Sequence, residues 1–311
     1  MTPIVLTVVI LMRRFAIIFN KIPDGRIAKI PFLKEEFDWI QFNPNDMDWE
    51  TINEYEAVYF YAISGANKAI MGEHLAKYMP MYMRNKGVTK PKFIWQMDYF
   101  QAEPTAEWYY HDVMPYIDAI TDCYDGWTVH QPDVHILFYY VAYPLEMREE
   151  DKRWVEYDDK ERYISGLKRH YGYPTPMVDI ADKLGIKHKI LGFNAERIYN
   201  EDYTDFFSKS ILTLDYHTLG LTWSRLGAEV SILGTPIIGP PEYNSIKNAN
   251  PDLALPYDII NVVNIAERLI NNKDYYTECQ LLAKKNIAEH LNPEVCGERY
   301  KLVLRDLGID V

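Results

Sequence analysis

Residues 210–239 constrain the fold more than any other stretch of this chain. A short apolar run, Ile211 to Leu214, leads through a polar loop into a helical segment carrying Glu229. A second apolar run follows, opened by Gly234-Thr-Pro-Ile-Ile-Gly239. Short buried runs on either side of a helix are the signature of a parallel β-α-β unit. Ligands of open parallel sheets bind outside the carboxyl ends of the strands, which puts the loop from Asp215 to Arg225 where a ligand binds. A helix starting just after such a loop presents unpaired N–H groups and a positive dipole end to an anion. The segment therefore predicts an anion-binding strand-loop-helix with one acidic residue inside the helix.

That pattern resembles the donor-binding signature of the GT-B glycosyltransferases, especially the large retaining family 4 (glycosyl transferases group 1). There a Glu-Gly-Phe-Gly run is followed after four residues by Glu-Ala, and then by Gly-x-Pro-Val-Ile. Glu229 matches the second glutamate, and Gly234, Pro236, Ile237 and Ile238 match the strand behind it. By this resemblance Glu229 binds the ribose hydroxyls of a nucleotide sugar. Leu221 stands where the family has its first glutamate, and Thr222 and Ser224 occupy the two glycine positions. The contact to the donor sugar then falls to Asp215 or His217. Thr222 and Ser224 are also suited to capping the helix. Arg225 lies four residues before Glu229, spaced either for an ion pair or for a phosphate contact.

At 311 residues the chain exceeds the size at which one core stops growing, so two domains are expected. A hydrophobic content of 48% is enough for two cores. The formal net charge of −12 argues against nonspecific nucleic-acid binding, which lysine and arginine drive. It leaves room for a local basic groove holding a diphosphate. Cys123, Cys279 and Cys296 are widely spaced and lack metal-ligand patterning, consistent with reduced thiols in a cytoplasmic protein. Pro3 to Met12 is almost wholly apolar but too short to span a bilayer. It reads either as an extension before the first strand or as a short anchor lying on a membrane surface, peripheral rather than spanning.

Phe15 to Phe19 reads as the first buried strand, and Pro23-Asp24-Gly25 as a turn after it. Resemblance makes Gly25 and Arg26 candidates for the interdomain cleft. Further strands are expected at Ala57–Tyr61, Lys92–Gln96, Ile120–Tyr124 and Val134–Pro144, with helices over Lys68–Arg84 and Asp112–Ala119. Methionines on the first of these helices read as core filler. Asp98 stands just past a strand, where a carboxylate can orient or deprotonate an acceptor hydroxyl. Alternating strands and helices predict a doubly wound domain over residues 1–148. The charged run Glu146–Lys160 reads as an exposed linker.

The second domain, residues 149–311, opens with the strand around Ile164. Lys168 and Arg169 lie at its end, close to the place where the family keeps two phosphate-clamping cations. Thr175–Leu184 reads as a helix ended at Gly185, and Lys189–Asn194 as a strand. Phe193 falls where the family holds the nucleobase. Asp202–Ser208 reads as the helix before the donor motif, and Pro240–Asn244 as a stiff loop able to touch sugar. Helices are expected at Val262–Ile270, Asp274–Leu291 and Glu294–Leu307, the last packing back on the first domain as GT-B chains often do. The resemblance implies two Rossmann-like domains facing a cleft, with the donor in the second and the acceptor in the first. It further implies metal-independent transfer from a nucleotide sugar to a carbohydrate, lipid or other hydroxyl, with no cofactor beyond the donor. A nucleotide-sugar epimerase of the same architecture and a non-catalytic sugar-nucleotide-binding module are the alternatives.

Overall fold

A computed structural model describes residues 14–19, 37–60, 79–97, 113–122, 137–140, 153–168, 175–192, 201–216 and 225–311. Within them, strands form two sheets, one of six strands and one of four, and every pairing is parallel.

The first sheet is built from β1 (Phe15–Phe19), β2 (Phe37–Gln41), β3 (Ala57–Phe60), β4 (Lys92–Met97), β5 (Ala119–Asp122) and β6 (Leu137–Tyr140), in the order β2-β1-β3-β4-β5-β6. Its described inner strands bury apolar residues on both faces, as a covered parallel sheet requires. Ala16 and Ile18 join Val58, Phe60, Phe93 and Trp95 in one cluster. Phe15 and Ile17 join Ala57, Tyr59 and Ile94 in another. Alternate residues of one strand thus fill opposite layers. The helices α1 (Trp49–Ile52) and α2 (Met79–Asn85) accompany this sheet. Met79 and Met83 of α2 are fully buried in the first cluster, the core-filling role their spacing suggested.

Around residue 115 the structure differs from expectation. Instead of a helix reaching Ala119, a single 3₁₀ turn spans Met114–Tyr116 and β5 begins at Ala119. The Asp118 carboxylate explains the change: it accepts from the Phe93 backbone N–H at 2.8 Å and from Arg84 Nη2 at 3.1 Å. These bonds seat the chain beside β4, where Ala119 and Ile120 take up sheet pairing with Ile94 and Trp95.

The second sheet contains β7 (Glu161–Lys168), β8 (Lys187–Gly192), β9 (Ser210–Leu214) and β10 (Ile237–Ile238), in the order β10-β9-β7-β8. Helices α3 (Thr175–Leu184), α4 (Glu201–Ser208), α5 (Arg225–Ile232), α6 (Asn244–Ala249), α7 (Ile259–Asn271), α8 (Lys273–His290) and α9 (Pro293–Asp306) complete the fold. One face packs Ile164, Leu212 and Ile238 against α3 and α7. The opposite face packs Leu167 and Ile237 against α4, α5 and α6. Helix α7 starts at Ile259, three residues before the expected Val262, because Asp258 caps it, accepting from the Ile260 N–H at 2.9 Å. Asn292 caps α9 in the same way, with Pro293 in the first turn. Tyr300, Val303 and Leu304 of α9 pack on the Phe15–Ile17 face of the first sheet, with the Tyr300 ring edge-on to Tyr59 at 5.1 Å.

The linker also departs from expectation over its described end. Lys160 is buried rather than exposed, its Nζ donating to Ser208 O at 2.6 Å and Thr235 Oγ1 at 2.7 Å. The Trp154 ring lies against Gly234, where a Cβ would stand 3.0 Å from Trp154 Cδ2 and where φ is +74°. Trp154, Tyr157 and Lys160 therefore pack on the second unit, while Arg153, Glu156, Asp158 and Asp159 are exposed as expected.

Candidate functional site

In a doubly wound sheet the ligand crevice opens where the chain reverses its direction of strand addition. In the second sheet that point lies between β7 and β9, since β8 adds on one side and β9 and β10 on the other. Lys168 ends β7 as an exposed side chain, and Asp215 follows β9 with no exposed surface. The two strand ends are locked together below this edge by hydroxyls. Ser165 Oγ lies 2.8 Å from Ser210 Oγ and 2.7 Å from Thr213 Oγ1. On the other side the Asp215 N–H donates to Ile238 O at 2.9 Å. Gly239 permits that closeness: a Cβ there would be 3.1 Å from Asp215 O and 2.4 Å from Ile246 Cδ1. Lys168 and Asp215 are thus brought to the same carboxyl edge.

Glu229 lies in α5, the helix that follows this edge. Its side chain is 4% exposed, whereas a glutamate on a solvated helix face would stand in water. It accepts a hydrogen bond from Tyr203 Oη of α4 at 2.7 Å. Packing sets the direction. At Gly227 an added Cβ would meet Ser245 Oγ at 2.5 Å and Ile246 Cγ1 at 2.7 Å, so α5 lies hard against α6 on that side. Two residues later, about 200° around the helix, Glu229 points the other way, toward α4. Asp215 and Glu229 are the only buried carboxylates among the described residues. Burying a carboxylate is expensive without strong compensation, and the Tyr203 hydrogen bond supplies part of it for Glu229.

Sequence reasoning did not single out Tyr203, because one tyrosine in an amphipathic helix carries no motif. Nor did it find Tyr216 and Tyr257, whose rings meet edge-on at 5.2 Å beside Asp215. Tyr216 Oη donates to Leu255 O at 2.9 Å, and burial, with the nearby Tyr257 and Glu242, pushes its acidity well below that of an ordinary phenol. Within the loop suggested for sugar contact, Tyr243 and Asn244 are buried at the start of α6, leaving Glu242 as its exposed side chain.

Arg225 is the first residue of α5; its side chain is outside the described residues. So are Arg169, Phe193, His217, Thr222, Ser224, Asp98, Gly25 and Arg26. Asp98 directly follows Met97, where β4 ends. Among the described residues no group of three or more His, Cys, Asp or Glu side chains could hold a metal ion. No described helix is long and apolar enough to cross a membrane. Cys279 and Cys296 are buried free thiols, and burial pushes Cys296 up to about 11.

No family model matches the chain, and no curated protein matches it in sequence. Solved structures do. HepE from Anabaena in complex with UDP superposes with a TM-score of 0.66 at 10% identity, covering 94% of this chain and 100% of that one. An alpha-glucosyltransferase in complex with UDP and a 13-mer DNA containing an HMU base gives 0.59 at 9% identity, covering 94% and 99%. A glycosyltransferase from Rickettsia africae gives 0.59 at 10% identity, covering 96% and 100%. At these identities the likeness is one of architecture, and on that ground the chain has a GT-B-like α/β fold of two Rossmann-like units.

Proposed function

We propose that this protein is a glycosyltransferase that moves a sugar from a nucleotide-sugar donor to a hydroxyl acceptor. The carrying observation is Glu229: a buried carboxylate, held by a tyrosine, in the helix after the crevice of the second sheet. Architecture adds support, since HepE has been captured with UDP and with UDP-glucose on the same fold. In this reading residues 149–311 take the donor and residues 1–148 the acceptor.

Glu229 accepts from the ribose hydroxyls. The backbone N–H groups opening α5, with Thr222, Ser224 and Arg225, face the diphosphate, and Lys168 and Arg169 supply the cations. Asp215 or His217 contacts the donor sugar, and Phe193 lies against the base. Asp98 orients the acceptor hydroxyl across the cleft, beside Gly25 and Arg26. As the anomeric C–O bond breaks, its electron pair passes to the departing diphosphate. Donors fixed at that oxygen stabilise the growing charge more than they stabilise the bound donor, and this lowers the barrier. The two cations and the helix terminus make the transfer metal-independent. The acceptor oxygen attacks the anomeric carbon and releases its proton to the diphosphate or to Asp98.

The test is thermal unfolding with a panel of nucleoside diphosphates, followed by assay of donor turnover. One nucleotide should raise the melting temperature, with about 2.7 kcal/mol of stabilisation at a hundredfold excess over Kd. The matching sugar donor should then be consumed. Stabilisation without turnover of any donor identifies a binding module instead. Indifference to every nucleotide defeats the proposal.

A further inference from the structure

The contact between α4 and α5 deepens the donor-binding reading, on which it rests. Tyr203 Oη donates to Glu229 Oε2 at 2.7 Å, with the two side chains only 6% and 4% exposed. Neither helix is free to drift. Phe207 O, at the end of α4, accepts from Thr235 Oγ1 at 2.7 Å, and Ser208 O accepts from Lys160 Nζ at 2.6 Å. The Tyr203 ring meets Phe207 edge-on at 4.9 Å. Helix α5 is fixed on its far side by the close approach at Gly227. A hydrogen bond between two anchored helices selects one rotamer of a glutamate that otherwise has three rotatable bonds. A carboxylate has about four acceptor directions, so accepting from a phenol is compatible with accepting from a vicinal diol as well.

We propose that Tyr203 is a positioning residue that presents the Glu229 carboxylate to the ribose 2′- and 3′-hydroxyls of the donor, and so sets the preference for ribose over deoxyribose. It touches no reacting atom and acts through Glu229. Its signature is therefore selectivity for the sugar of the nucleotide, which a purely architectural contact between helices would not alter.

The probes are UDP and 2′-deoxy-UDP, titrated calorimetrically into the full-length protein and into Tyr203→Phe, which keeps the ring and its packing. Wild-type protein should bind UDP more tightly than 2′-deoxy-UDP. Tyr203→Phe should weaken UDP binding about five- to tenfold, less than a direct hydrogen bond to a charged group is worth because Tyr203 acts only through Glu229, and leave 2′-deoxy-UDP binding less affected. The preference for ribose then shrinks. On a Glu229→Ala background the same substitution should change nothing further, because its route is gone. If wild-type protein prefers UDP and Tyr203→Phe retains both its affinity and its preference, Tyr203 serves only to join the helices and the proposal fails alone. If wild-type protein binds both nucleotides equally, the ribose role of Glu229 fails and takes this proposal with it. If it binds neither, this proposal fails for a uridine diphosphate while the donor reading stands or falls on the rest of the nucleotide panel.

Discussion

The two sheets bury different chemistry. In the first, aromatic and aliphatic side chains fill both faces, and Thr121, paired with Tyr59 Oη at 2.8 Å, is the one buried polar side chain among its described residues. In the second, Ser165, Thr213, Asp215, Glu229 and Lys160 are all buried. Apolar packing is the cheaper way to stabilise a sheet, since every buried polar group must recover its lost hydration through hydrogen bonds. Among the described residues the contrast separates an apolar sheet from one that buries hydrogen-bonded polar groups, with Asp215 at its carboxyl edge and Lys160 at the opposite edge. Proteins break the packing rules at functional sites and compensate elsewhere, and among the described residues the departures concentrate in the second unit.

The largest test of that contrast is Phe93→Ala in the first sheet. Phe93 is fully buried, edge-on to Phe60 at 5.1 Å and covered by the Arg84 guanidinium at 3.6 Å. Its truncation should destabilise the protein by about 3–5 kcal/mol in urea unfolding, with nucleotide affinity unchanged while the protein remains folded. A loss of affinity matching the loss of stability would erase the division between scaffold and site.

Lys160 tests the polar unit through pH. Burial draws its amine down to about 7 from an ordinary lysine value, with the Glu156 charge opposing. Between that value and about 10.4 the unfolded chain holds a proton that the folded one does not, so stability rises with pH across this window and is lost again as pH falls toward 7. Relative to Lys160→Met, the wild-type protein should gain about 1.4 kcal/mol per pH unit between pH 7 and 9. A pH-independent difference would mean that the amine is charged in its buried site.

Gly227→Ala comes next. Its new methyl group would meet Ser245 Oγ at 2.5 Å and the Ile246 backbone N at 3.1 Å, pushing α5 off α6. Overpacking of this kind costs about 1–3 kcal/mol, partly offset by the better helix propensity of alanine. Chemical unfolding that finds the variant more stable than wild type would show that α5 has room to shift. The smallest effect is expected from Lys189→Ala, which removes an exposed 3.0 Å ion pair with Glu161 across β7 and β8. Less than about 1 kcal/mol should be lost, and a larger value would place surface charge among the forces that hold the second sheet.

Much of this architecture was legible because parallel sheets write themselves as short apolar runs. The β9-α5-β10 unit and helix α3 follow directly from periodicity, glycine and proline. Length alone does not define a helix: the segment before Ala119 has helical spacing, yet the distant Arg84 and the Phe93 amide, acting on Asp118, decide its shape. Lys160 was misread for a similar reason, since a charged run looks solvated until a cavity with two acceptors is folded around one of its members. In the site, Glu229 was visible through the Gly-x-Pro-Ile-Ile strand behind it. The Tyr203–Glu229 hydrogen bond was not, because it depends on how two helices cross, and single-residue patterns do not encode crossing.

The most direct test of the account is calorimetric titration of UDP into wild-type protein and into Glu229→Ala. If the buried carboxylate holds the ribose, removing it deletes hydrogen bonds to a charged acceptor worth about 1.5–3 kcal/mol, and Kd should rise roughly ten- to a hundredfold. An unchanged Kd, with the variant folded, would contradict the claim that this side chain grips a sugar nucleotide.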